Sequence, residues 1–128
     1  MNALLWCLVV VTFLPVAWGV PAFSFRKKQF GYADNKLPRA QQQQTTGIAA
    51  RALGAHQNAW EALMMFAPIV FVAQIAGADP VKAGLTGIAF VVIRVLHGIF
   101  YIADLDALRS ISFLVGIACL IRLVVLSV

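Results

Sequence analysis

The chain has 128 residues, of which 62% are hydrophobic and 12% charged, and ten Lys or Arg against five Asp or Glu leave a formal charge of +5. With a mean hydropathy of +0.88, these figures exclude an ordinary soluble domain and leave room for only one small unit. Nothing in the pattern of basic residues resembles a nucleic-acid module, so the charge reads first as a topology signal.

A helix needs roughly 20 apolar residues to cross the hydrocarbon core of a bilayer. Four stretches qualify, at about 3–25, 46–78, 81–103 and 107–128. They predict an all-α, integral membrane four-helix bundle that fills residues 1–128 as a single domain. The first stretch carries no charge before Arg26 and stays apolar too long for a signal peptide, so it reads as a retained span. Next comes a basic loop at 26–45, where Arg26, Lys27, Lys28, Lys36 and Arg39 face one acid, Asp34. By the positive-inside rule this loop is cytoplasmic and both chain ends lie on the other side. The glutamine tract Gln41–Gln44 favours helix and is expected to extend the second span outward into water.

Within the second span Pro68 removes a helix hydrogen bond and is expected to introduce a kink. A short, nearly neutral loop at Gly77 to Lys82 leads to the third span. The pairs Ala73 with Gly77, Ala83 with Gly87, and Gly84 with Gly87 have the small-residue character that lets membrane helices approach closely. Trp18 fits an interfacial belt position, and Arg122 can snorkel to the surface opposite the basic loop. Cys7 and Cys119 lie in separate apolar spans without metal-ligand spacing, so neither a metal site nor a disulfide scaffold is expected.

Against this apolar background the ionisable residues stand out, because charges inside spanning segments are costly and mark sites or bind one another. At about 100° per residue, Arg51, Gly54, Asn58 and Glu61 share one face of the second span, with His56 nearly opposite. Arg94, His97 and Tyr101 share a face of the third. Arg109 and Ser110 open the fourth, where Asp106 is placed to cap the helix. Alternating direction puts all of these at the basic-loop end. Three cations (Arg51, Arg94, Arg109) against the one carboxylate Glu61 leave positive charge uncompensated in a low dielectric. An anionic guest with carboxylates and an amine suits that set, since Arg forks match carboxylates and Tyr101 or Ser110 can donate to a developing anion.

The segments RALGAHQNAWE (Arg51 to Glu61), RVLHGIFY (Arg94 to Tyr101) and LRS (Leu108 to Ser110), with RKKQF (Arg26 to Phe30) after the first span, resemble the MAPEG family, the membrane-associated proteins in eicosanoid and glutathione metabolism. The likeness covers most of the chain and is nearer the bacterial branch: arginines expected in the eicosanoid-synthesising branch are replaced by Ser24, Gly54 and Gln57. It implies a homotrimer in a bacterial inner membrane, with glutathione as cosubstrate between subunits and a lipophilic electrophile arriving through the bilayer. It further implies glutathione-binding roles for Asn58, Glu61 and His97, to which the charge argument adds Arg51 and Arg94. Catalytic roles fall to Arg109, Ser110 and Tyr101, with Arg109 stabilising the thiolate and Ser110 or Tyr101 hydrogen-bonding to it.

Two readings compete. One is a glutathione transferase or peroxidase; the other is a non-catalytic membrane protein whose polar cluster stabilises helix and trimer packing. A transporter is disfavoured by the lack of inverted repeats and mid-membrane helix breaks.

Overall fold

A computed structural model describes residues 1–128 and contains five helices: α1 (Ala3–Phe30), α2 (Pro38–Gln43), α3 (Gly47–Ile75), α4 (Pro80–Ile102) and α5 (Asp106–Val125). The four long ones are apolar and long enough to cross a membrane. At 1.5 Å per residue, the 20 residues of α5 cover about 30 Å, one hydrocarbon thickness. The 28 residues of α1 reach about 42 Å, so α1 has more than a turn to spare.

The two ends of the bundle are pinned by different polar contacts. At one end Asn2 caps α1 by accepting the Leu5 N–H at 3.1 Å and exchanges side-chain hydrogen bonds with Gln74 at 3.0 and 3.3 Å. At the other, Gln29 Oε1 accepts the Thr46 N–H at 3.1 Å while its Nε2 donates to Thr46 Oγ1 at 3.3 Å. Hence α1 and α3 run antiparallel over their full length.

The glutamine tract is helical but does not extend the long helix. Thr46 takes extended backbone angles and Gly47 a φ of +54°, which breaks the path between α2 and α3. Gln41 turns inward instead, its amide accepting from Asp34 N at 3.0 Å and donating to Tyr32 O at 3.2 Å. Those bonds tie the loop to itself, and Arg26 Nη1 on α1 reaches the Pro38 carbonyl at the start of α2 at 3.4 Å.

Packing follows residue size along α3. Its half nearest the basic loop buries an alanine stripe, Ala49, Ala52, Ala55, Ala59 and Ala62, and its other half buries Phe66, Val70 and Ala73. Small side chains bring neighbouring backbones close, which is how spanning helices gain contact when lipid offers no hydrophobic incentive. In the thicker half Phe66 stacks on Phe90 of α4, with ring centroids 4.4 Å apart. On α4, Ala83, Gly84 and Gly87 are buried, and a Cβ on Gly87 would come within 2.8 Å of Leu4. Gly77, by contrast, is an exposed turn residue with φ +71°, so the expected Ala73/Gly77 packing pair is not formed. The Trp18 indole lies across Gly98 of α4, where a Cβ would sit 2.3 Å from the ring.

Candidate functional site

Arg94 and His97 of α4 and Ser112 of α5 meet because each occupies the buried stripe of its helix. On α4 that stripe is Phe90, Arg94, His97 and Gly98, and on α5 it is Ser112, Gly116, Leu120 and Leu123. Gly116 leaves room beside the Arg94 stem, its virtual Cβ lying 3.7 Å from Arg94 Cδ. Arg94 is only 5% exposed.

From there the guanidinium reaches α3. Arg94 Nη2 donates to Asn58 Oδ1 and, at 3.4 Å, to the Asn58 carbonyl. Asn58 in turn donates from Nδ2 to Glu61 Oε2 at 2.9 Å. The charge of Arg94 is thus relayed to Glu61 through an amide, with no direct ion pair between them. Glu61 itself is exposed, on the outer rim of the cluster.

The next turn of α4 presents His97, 4% exposed. Its Nδ1 lies 3.1 Å from the Arg109 carbonyl and 3.1 Å from Ser112 Oγ. Because Ser112 Oγ already donates to that carbonyl at 2.7 Å, both neighbours act as acceptors toward the ring. The proton of a neutral His97 therefore sits on Nδ1, and Nε2 carries a lone pair. That Nε2 is buried with no partner, as is Arg94 Nε.

Tyr101 and Arg109 complete the wall. The Arg109 guanidinium lies over the Tyr101 ring at 4.7 Å from its centroid, a cation–π arrangement. The phenol packs against α3 at Gly54: a Cβ there would be 2.5 Å from Tyr101 Cζ. Asn58, His97, Tyr101, Arg109, Ser110, Phe113 and Leu114 line one cavity of about 350 Å³. Its size lies within the range of small-molecule sites, and its mixture of apolar walls with a few polar groups is characteristic of them.

Not every residue singled out from the sequence enters this cavity. Arg51 turns to the α4–α5 connection, donating from Nε to the Ile102 carbonyl at 3.1 Å and pairing with Asp104 at 3.7 Å. It braces the turn that joins Tyr101 to Arg109. With Asp104 counted, the cations left to the cluster are Arg94 and Arg109 against Glu61. Ser110 lies on the rim, exposed, whereas Ser112, two residues on, is the serine that contacts His97. The period of the buried α5 stripe, 112, 116, 120 and 123, is the signal that selects it. Asp106 does not cap α5 as an N-cap residue; it is the first helical residue, and its Oδ1 accepts the Ala107 N–H at 2.8 Å. His56 faces away from the cavity, as its angle predicts, with Nδ1 2.7 Å from the Pro15 carbonyl of α1.

A comparison with family models matches residues 3–128 to the MAPEG family. No curated protein matches the chain.

Proposed function

The chain belongs to the MAPEG family and is an integral membrane protein, and from that premise we propose that it is a glutathione-dependent transferase or peroxidase acting on lipophilic electrophiles. The observation that carries this reading is the convergence of Asn58, His97, Tyr101, Arg109 and Ser110 on one cavity. Glutathione presents two carboxylates, an ammonium, two amides and a thiol, so it asks for both donors and acceptors. His97 Nε2, an acceptor without a partner, fits an amide N–H or the thiol proton. Glu61 and Asn58 suit the ammonium and amide groups, and Arg94 supplies the positive field behind them.

On this reading the thiol lies against Arg109, whose cationic head is steadied by the Tyr101 ring. A thiolate, the nucleophilic form, is stabilised by such a charge. Ser110 and the Tyr101 hydroxyl hydrogen-bond to the sulfur, and Phe113 and Leu114 give the electrophile an apolar approach. Glutathione binds; the thiol proton passes to solvent or to His97 Nε2; and the sulfur attacks the electrophilic carbon as its leaving group departs. The rim residues Glu61 and Ser110 are exposed in the single chain, which supports a homotrimer in which a neighbouring copy closes the pocket. The basic loop supports placing this end on the cytoplasmic side, with both termini on the other face of a bacterial inner membrane.

The test is turnover in proteoliposomes with glutathione and a chloronitrobenzene electrophile. Arg109→Ala and Glu61→Gln are each expected to depress it by about tenfold or more, as loss of a charge-assisted contact of about 1.5–3 kcal/mol implies. Unchanged turnover in both variants would defeat the proposal. One observation favours the non-catalytic reading: Asn58 already bridges Arg94 Nη2 and Glu61 Oε2 internally. Under it the same substitutions disrupt assembly, and no thiol ligand binds.

A further inference from the structure

Arg26 was expected to be one of several solvated cations in the basic loop, yet it is 5% exposed. It lies on the last turns of α1, and its one hydrogen bond runs from Nη1 to the Pro38 carbonyl at 3.4 Å. The only ion pair in the protein joins Arg51 to Asp104, so no carboxylate faces Arg26. Its Nε is buried without a partner. In a guanidinium, Nε and Nη2 form the side-on pair of donors that engages two oxygens of one oxyanion. Because Nη1 is committed to Pro38, that edge is the part left unused.

Arg26 lines a cavity of about 230 Å³ with Gly19, Gln42, Thr45, Leu53 and His56. This cavity lies on the α1 side of α3, behind the helix face that carries Asn58. Its volume is below the usual range for drug-sized ligands, which favours a compact group. Gln42 adds a side-chain amide donor, whereas the Thr45 hydroxyl at the same wall already donates to the Gln42 carbonyl at 2.7 Å. The His56 ring donates from Nδ1 to the Pro15 carbonyl, since a carbonyl only accepts, and that bond holds the imidazole at the cavity wall. The other walls, Gly19, Ala22, Phe23 and Leu53, are apolar, and the Phe23 ring lies 5.6 Å from the guanidinium carbon, a cation–π contact that leaves the charge without a counter-ion. Lys27 and Lys28 follow Arg26 directly and raise the positive potential at the mouth.

We propose that this cavity, enclosed by α1, α2 and α3, is a binding site for a phosphate-type oxyanion, engaged by the Nε and Nη2 edge of Arg26 and by the Gln42 side-chain amide. A buried cation without a counter-ion is costly, and a basic pocket between spanning helices at headgroup depth takes phosphate groups. The oxyanion comes either from the headgroup of an acidic phospholipid, whose glycerol end meets the apolar wall, or from free phosphate.

Thermal unfolding of the protein in a neutral detergent tests this, with titrations of dioctanoyl phosphatidic acid, dioctanoylglycerol and inorganic phosphate. A saturable rise in midpoint with phosphatidic acid, absent with dioctanoylglycerol, assigns the headgroup source; an equal rise with inorganic phosphate assigns the free ion. Arg26→Gln is expected to weaken the response by about tenfold or more, the scale of a lost bidentate charge-assisted contact, while exposed Lys28→Gln leaves it unchanged. If Arg26→Gln does not fold, Gln42→Leu takes its place and is expected to weaken the response as well. No stabilisation by either phosphate compound, or equal responses from the Lys28 variant and the cavity variants, would overturn the proposal. The titration contains no glutathione and no electrophile, so its outcome is independent of the turnover test.

Discussion

Substituting alanine for Gly54 adds one methyl group at the point where α3 meets the phenol of Tyr101. The new Cβ would sit 2.5 Å from Cζ, 2.6 Å from the hydroxyl oxygen and 2.7 Å from Cε1 of that ring. Carbon atoms prefer about 3.5 Å or more, so the ring must retreat by about 1 Å. The Arg109 head, 4.7 Å from the ring centroid, then loses its platform. A misplacement of that size can cost about 100-fold in rate. Folding responds less, because alanine gains about 1 kcal/mol of helix propensity against a repacking cost of about 1–3 kcal/mol. Gly54→Ala is therefore expected to lower glutathione-dependent turnover in proteoliposomes far more than it lowers the unfolding midpoint. In a Tyr101→Ala background the same substitution should cost nothing further, since neighbouring residues couple and the clash is gone. Turnover within about twofold of wild type, or losses that simply multiply in the double variant, would refute the coupling.

Three other outcomes follow from the same geometry. Gly98→Ala drives a methyl into the Trp18 indole, 2.3 Å away, and should lower the unfolding midpoint by the equivalent of about 1–3 kcal/mol; in a Trp18→Ala background that penalty should vanish. Asp104 holds a φ of +63°, so Asp104→Val should destabilise the α4–α5 turn by about 1–2 kcal/mol, whereas Asp104→Gly, which loses only a solvent-exposed ion pair, should stay within about 1 kcal/mol of wild type in denaturation assays. The Asp79 carboxylate accepts the Val81 and Lys82 N–H groups at 3.0 and 2.8 Å. These bonds, with Lys82 nearby, hold its pKa below the ordinary 3.8. A depressed carboxylate stabilises the fold at higher pH and loses that contribution as pH falls through the folded value. Unfolding midpoints should therefore decline on acidification below 3.8, and Asp79→Asn should remove that part of the decline.

The spans were legible because bilayer thickness imposes a length and apolarity that composition reveals directly. Helical angle correctly turned His56 away from the face that carries Asn58 and grouped Arg94, His97 and Tyr101 on one face of α4. Other positions depended on contacts that an angle does not determine. Arg51 shares a helix face with Asn58, yet it lies one to two turns nearer the α4–α5 connection, and the Ile102 carbonyl and Asp104 engage it there. Ser110 is adjacent to Arg109 in sequence, but the inward stripe of α5 passes through Ser112. Arg26 read as a topology charge because its neighbours Lys27 and Lys28 are solvated, and its burial arises only once α2 folds back over the end of α1. The glutamine tract was rightly assigned helical character but wrongly joined to α3, because the backbone break at Thr46 and Gly47 outweighs glutamine's propensity. The seating of Trp18 on Gly98 of α4 is likewise a contact that its position in α1 alone does not disclose.

The proposed function requires glutathione to occupy the cavity lined by Asn58, His97, Tyr101 and Arg109, with Glu61, held by Asn58, at its rim. Calorimetric titration of the detergent-solubilised protein with glutathione and an S-alkyl derivative measures that directly. Saturable binding of both compounds is predicted, with affinity falling about tenfold or more in Glu61→Gln. No binding heat from either compound, or equal affinity in wild type and variant, would contradict it.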